Sequence, residues 1–135
     1  MIEYSLVGHK DTITGMKLSH DGNYLLSNSI DETLRIWDLK VLPSNETRQS
    51  KLLFGVAHNF ERNLLRCSWS IDDNYVSAGS ADKLLKVWRV EDEKLIITMD
   101  GHEGSINDID FHPKQNILVS ASTDQKLFVG YVELK

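Results

Sequence analysis

Three stretches of this chain are copies of one pattern, and copies at a fixed period cannot each bury an apolar face alone, so they must stack. They read GHKDTITGMKLSHDGNYLLSNSIDETLRIWD (8–38), AHNFERNLLRCSWSIDDNYVSAGSADKLLKVWR (57–89) and GHEGSINDIDFHPKQNILVSASTDQKLFVGY (101–131). Each opens at a histidine: His9, His58 or His102. A turn aspartate follows after 22, 24 and 22 residues, at Asp31, Asp82 and Asp124. Six residues further stand Trp37, Trp88 and, in the third copy, Gly130. The second copy therefore carries a two-residue insertion near Asn59 to Arg62.

Within each copy the apolar period is that of strands. The first strand places Ile13, Met16 and Leu18, then Leu64, Cys67 and Trp69, then Ile106, Ile109 and Phe111 on one face. A step of three followed by a step of two predicts a β-bulge. YLLS (24–27), YVSA (75–78) and ILVS (117–120) predict the second strand, and Leu34/Ile36, Leu85/Val87 and Leu127/Val129 the third. A fourth strand is expected before each histidine, at 4–7, 51–54 and 95–98. His20 and His112 fall on the turns between first and second strands, where exposure is expected rather than metal ligation. VLPSNETRQS (41–50) reads as a solvated loop, and no segment has a helical period. The expected class is all-β, about three four-stranded units.

Composition narrows the function. Of the 135 residues, 41% are hydrophobic and 26% charged, which suits a globular domain with a core. No apolar run is long enough to span a bilayer, so no membrane role is expected. With Cys67 as the lone cysteine, an internal disulfide has no second partner, as expected of a reducing intracellular compartment. A formal charge of −5 opposes sequence-independent binding to phosphate backbones, so direct nucleic-acid contact is not expected. Arg62 and Arg66 leave a local basic patch as the alternative to a plain solvated surface.

Four strands per copy, a Gly-His or Ala-His opening and a Trp-Asp close resemble the WD-repeat β-propeller family over residues 1–133. Within it, AHNFERNLLRCSWS (57–70), SAGSAD (77–82) and GHEGSINDIDFHP (101–113) are similar to WD-repeat subunits of spliceosomal small nuclear ribonucleoproteins. The resemblance implies an incomplete, C-terminal part of a larger, seven-bladed ring. Residues 1–7 would be the outer strand of a preceding blade, 8–56 blade one, 57–100 blade two, and 101–135 blade three without its outer strand. It also implies a non-catalytic scaffold of the splicing machinery in the nucleus, with protein partners and no cofactor. An adaptor of a ubiquitin ligase or a chromatin assembly is the alternative. The isolated segment is expected to self-associate through its open blade edges.

His9, Ser27 and Asp31 are the residue types of a hydrolytic triad, nearly repeated by His58 with Asp82 and by His102, Ser120 and Asp124. Three equivalent catalytic clefts in a row are not expected, and Ala78 stands where the second nucleophile would be. The family resemblance instead implies structural tetrads. In these, Asp, His, Ser and Trp satisfy one another's buried polar atoms. The first is complete with Trp37, the second keeps Trp88 but lacks its hydroxyl, and the third lacks its Trp, so a weaker third blade is expected. Trp69 and Phe111 are expected in the core rather than as base-stacking platforms. Partner-binding positions carried over from the family are Thr12, Thr14 and Ile30, then Asn63, Leu65 and Ala81, then Ser105, Asn107 and Thr123. Phe60 in the insertion is a further candidate, either for partner contact or as a cap over the blade edge.

Overall fold

Strands alternate side chains across a sheet, and among the described residues eleven form where the sequence carries that alternation. The computed structural model describes residues 4–40 and 48–134. These hold three antiparallel sheets and no helix. The first sheet is β1 (Ile13–Leu18), β2 (Tyr24–Ser29), β3 (Thr33–Asp38) and β4 (Gln49–Phe54), paired in that order. The second is β5 (Cys67–Trp69), β6 (Tyr75–Ala78), β7 (Leu85–Arg89) and β8 (Lys94–Met99), again in chain order. The third pairs β9 (Ile106–Phe111), β10 (Ile117–Ser122) and β11 (Leu127–Tyr131), leaving β11 as an edge.

Turn chemistry sets the hairpins. Ser19 Oγ donates to Asp21 at 2.6 Å, and the Gly22 N–H closes the turn on the Ser19 carbonyl at 3.0 Å. Ser70 and Asp72 repeat the arrangement at 2.7 Å. Between second and third strands, the residue after each turn aspartate takes a left-handed backbone: Glu32 (φ 67°), Lys83 (φ 71°) and Gln125 (φ 70°). None is a glycine, so sequence inspection gives no warning of it.

The core lies between sheets, in two layers. Leu26, Leu34, Ile36 and Leu53 of the first sheet meet Leu65 of the loop before β5 and Cys67, Trp69, Val76 and Trp88 of the second sheet. Tyr75, Leu85 and Val87 of the second meet Ile106, Ile109, Phe111 and Leu118 of the third. Each aliphatic side chain so buried contributes about 1.5–3 kcal/mol. The burial of Trp69 and Phe111 matches their expected core role. In β1, by contrast, Ile13, Met16 and Leu18 are exposed, because among the described residues no sheet packs on that face.

The inner strands adjoin one another through backbone and side-chain bonds between sheets. Arg66 N–H donates to the Asn107 carbonyl at 2.8 Å and Ile106 N–H to the Ser80 carbonyl at 2.9 Å. Asn28 Nδ2 reaches the Leu65 carbonyl at 2.6 Å, and Thr14 Oγ1 donates to the same oxygen at 2.7 Å. On the opposite side of the sheets, Asp73 accepts from His20 at 2.8 Å and from the Asp21 N–H at 3.1 Å.

Some sequence expectations need correction. The bulge occurs in β1, between Ile13 and Gly15, and where Ile106 pairs with Ser122 in the third sheet. It is absent from β5, whose register is regular. The longer loop before β5 brings Leu65, not Leu64, to the position that Ile106 occupies, so Leu65 is buried and Leu64 exposed. Tyr4 to Val7, expected as a strand, pairs with no sheet among the described residues. Most of the loop expected over 41–50 lies outside the described residues, and β4 already begins at Gln49.

Candidate functional site

The joints between β3, its neighbours and the loop entering the sheet are where chemistry-bearing residues gather. In the first sheet the relay is complete. Asp31 Oδ2 lies 2.9 Å from His9 Nδ1, and since a carboxylate only accepts, Nδ1 donates. In the tautomer that this bond sets, His9 Nε2 accepts from the Ser27 hydroxyl at 2.7 Å. Trp37 Nε1 donates to the same hydroxyl oxygen at 2.8 Å. Thr33 supplies its hydroxyl (2.6 Å) and its N–H (3.0 Å) to Asp31 Oδ1, and Lys10 N–H adds a bond of 2.9 Å to Oδ2. Burial pushes the Asp31 carboxyl up, but the bonds from Thr33, Lys10 and His9 outweigh it and hold the pKa far below 3.8.

This linkage has a sign. A carboxylate whose folded pKa is depressed contributes stability that is fully present above its unfolded value, and the contribution fades as pH falls below that. Asp31→Asn removes the titration. The wild-type chain is therefore expected to lose stability steeply below pH about 4, and the variant, weaker at neutral pH, to lose less over that interval. Denaturant midpoints measured from pH 6 to pH 2 check it; parallel curves would show that Asp31 does not carry the linkage.

The third joint keeps the acid, base and hydroxyl: His102 Nδ1 to Asp124 Oδ2 at 2.9 Å and Nε2 to Ser120 Oγ at 2.8 Å. Burial raises the Asp124 pKa, but the Glu103 N–H, His102 and the Lys126 N–H bring it down to about 2. Gly130 offers no indole. Phe128 instead stacks on the His102 ring, centroids 3.9 Å apart and planes at 14°. The absent indole leaves a cavity of about 200 Å³ behind β11, lined by Leu85, Met99, Leu118, Phe128 and Gly130.

The second joint departs most from expectation, because His58 and Asp82 do not pair. Asp82 takes the buried Lys86 ammonium, which also donates to the Gly55 carbonyl at 2.5 Å. Burial raises the Asp82 pKa, and the Lys86 and Ser80 bonds more than offset it. Trp88 Nε1 donates to the Phe54 carbonyl at 2.7 Å. Both ring nitrogens of His58 are buried without a partner among the described residues. Burial holds its pKa below the usual histidine value; the nearby Ser29 carbonyl, too poorly placed for a full hydrogen bond, and the Glu32 and Asp31 carboxylates oppose that lowering, while Arg62 adds to it. Two causes combine: Ala78 offers the ring no hydroxyl, and the longer loop separates it from the turn.

Sequence reading missed the position four after the turn aspartate. It holds Arg35, Lys86 and Phe128, and each serves its joint differently. A lysine there in the copy lacking the hydroxyl was the available signal.

A hydrolytic role does not suit this geometry. Ser27 is 3% exposed, its oxygen already accepts from Trp37, and its proton is committed to His9. The Cys67 thiol is buried, which raises its pKa to about 12 and leaves it protonated.

Of the positions expected to meet a partner, Thr12 and Thr123 are exposed, while Ile30, Asn63, Ala81 and Asn107 are half-buried. Thr14 is half-buried and spent on the Leu65 carbonyl. Leu65 and Ser105 are buried, so their side chains are not on offer; Leu65 packs in the first core layer. Phe60 is 92% exposed.

The WD domain, G-beta repeat family model matches residues 2–38, 51–89 and 93–129. The chain is 45% identical over 132 residues to the human U5 small nuclear ribonucleoprotein 40 kDa protein, covering 98% of this chain and 37% of that protein. It is 46% identical over 125 residues to the pre-mRNA-splicing factor cwf17 of Schizosaccharomyces pombe, covering 93% and 36%. The chain thus spans little more than a third of the length of these relatives. The structure described as "Structure of U3-55K" superposes with a TM-score of 0.79 at 22% identity, over 94% of this chain and 38% of that one, a likeness of fold. Three matched repeats, three antiparallel sheets and the histidine–aspartate joints together place this chain in the WD-repeat β-propeller family.

Proposed function

We propose that this chain is part of a non-catalytic scaffold of the pre-mRNA splicing machinery, which acts in the nucleus by holding neighbouring proteins of a ribonucleoprotein particle. Its strongest support is the 45% identity to the U5 small nuclear ribonucleoprotein 40 kDa protein across nearly the whole chain. The buried joints agree with it, since the triad-type residues are used up in holding sheets together. Partners meet loops carried on a rigid framework. Neither a cofactor nor direct contact with RNA is part of this reading.

Purification of the tagged full-length chain from nuclear extract tests it. Recovery of U5 proteins is expected; recovery of ubiquitin-ligase or chromatin subunits in their place would replace this reading with an adaptor role. RNA titrated at low salt is expected not to bind, and an affinity that falls steeply with salt would overturn that part.

Three blades do not close a ring, and we read these residues as the C-terminal portion of a seven-bladed one. On their own, the 135 residues present Ile13, Met16 and Leu18 at one end and the β11 edge with Leu127, Val129 and Tyr131 at the other. An unpaired edge and an uncovered apolar face both favour association. Sedimentation at micromolar concentration is expected to show dimers or larger species. A monomer with one cooperative unfolding transition would refute this.

A further inference from the structure

The extra residues of the second repeat build a turn with its own internal ties. Asn59 Oδ1 accepts from the Glu61 N–H at 3.0 Å, and the Asn59 carbonyl accepts from the Arg62 N–H at 3.2 Å. The Asn63 amide donates to Glu61 at 3.2 Å, and Arg62 reaches the first sheet's loop, 3.2 Å from Asp11 Oδ1. The base of the loop is fastened as well. Lys86 holds the Gly55 carbonyl at 2.5 Å, Ala57 N–H donates to Ser80 Oγ at 3.0 Å, and Ala81 N–H donates to the Ala57 carbonyl at 2.8 Å.

On this fastened turn, Phe60 stands 92% exposed and touches no core layer. That rules out the bland alternative of a cap over the blade edge. A large aromatic side chain held in water by an ordered turn is preorganised for contact, because the loop entropy that binding would cost is already lost. The Glu61 carboxylate keeps its charge while accepting from the Asn63 and Asn59 side-chain amides at 3.2 and 3.5 Å, and Asp11 accepts from the Thr12 N–H at 2.6 Å as well as from Arg62. The Arg62 side chain remains 56% exposed, and it has donors beyond the one on Asp11.

We propose that Phe60 is the anchor of a docking surface for a protein partner whose apolar pocket carries a carboxylate on its rim. The ring fills the pocket and Arg62 meets the carboxylate. This deepens the scaffold reading above and rests on it for the identity of the assembly. An aromatic ring beside an arginine also suits a nucleobase. One guanidinium, already tied to Asp11, in a chain of net charge −5 neutralises a carboxylate more readily than a run of phosphates.

The test uses the full-length protein in the purified particle, with Phe60→Ala and with a benzoylphenylalanine photo-crosslinker at position 60. Phe60→Ala is expected to leave denaturation unchanged and to lower recovery of one protein of the particle about tenfold or more. The crosslinked peptide is expected to be apolar with Asp or Glu close by, and Arg62→Glu to weaken the same contact more than Arg62→Lys. Undiminished recovery of the particle by Phe60→Ala, or no crosslink within it, overturns the anchor. A crosslink to RNA overturns it in favour of nucleic acid. If the wild-type chain is recovered without splicing proteins but crosslinks at position 60 to another protein, the splicing reading fails and the anchor stands.

Discussion

Gly79→Ala is expected to destabilise the chain by about 3 kcal/mol or more, the upper range for forcing atoms into a filled interior. A Cβ built on Gly79 would lie 2.1 Å from the Ile106 carbonyl oxygen and 3.1 Å from its carbon. Both are backbone atoms of β9, so no side chain can turn aside. β9 would have to retreat from the second sheet, taking with it the Ile106 N–H bond to the Ser80 carbonyl and the packing of the second core layer. The corresponding position in the first repeat is Asn28, whose amide spans a wider gap to the Leu65 carbonyl. Gly130→Ala is the control, since its Cβ meets nothing within 4 Å, and it is expected to be close to neutral. Equal losses from the two substitutions, by chemical denaturation, would mean that the close approach of β9 is not what demands a glycine.

The second large effect is at Ser27. Its hydroxyl serves two partners, so Ser27→Ala leaves both His9 Nε2 and Trp37 Nε1 buried and unpaired. At about 1–3 kcal/mol for each orphaned group, a loss of about 2–6 kcal/mol is expected. Trp37→Phe, which removes one donor, is expected to cost about 1–3 kcal/mol. Ser120→Ala orphans His102 alone, whose ring keeps its stack on Phe128, and should cost less than Ser27→Ala. Denaturation of the three variants side by side gives the order. If Ser120→Ala proved the more damaging, the count of orphaned partners would not be what sets the loss.

What could be read from the residues divides along physical lines. Period-two alternation and repeated turn chemistry are local, and they located the strands of all three sheets to within a few residues. The triad-type spacing from His9 to Asp31 and from His102 to Asp124 also marked real joints. The second joint was illegible from spacing because its outcome depends on reach. A longer loop and a missing hydroxyl at Ala78 left His58 without its relay, while Lys86, one turn-length along β7, could extend to Asp82. Leu65 was misplaced for a similar reason. Whether a loop spends its extra residues in a turn or in a bulge is decided by the neighbouring sheet, and here they went into the turn that carries Phe60.

The varied residue four after the turn aspartate bears on how such a chain could be altered. Arg35, Lys86 and Phe128 occupy one column of an alignment, yet each meets a different partner: Arg35 the Gln49 side-chain oxygen of β4, Lys86 the turn carboxylate of Asp82 and the Gly55 carbonyl, and Phe128 the His102 ring. Averaging the three repeats into a consensus, or transplanting one repeat into another's place, would separate each from its counterpart. A lysine in place of Phe128 would give up the stack on His102 and would have to compete for Asp124, whose oxygens already accept from His102 and from the Glu103 and Lys126 N–H groups. The repeats are thus alike as architecture but not interchangeable as parts, and substitutions at a joint have to be exchanged as whole sets.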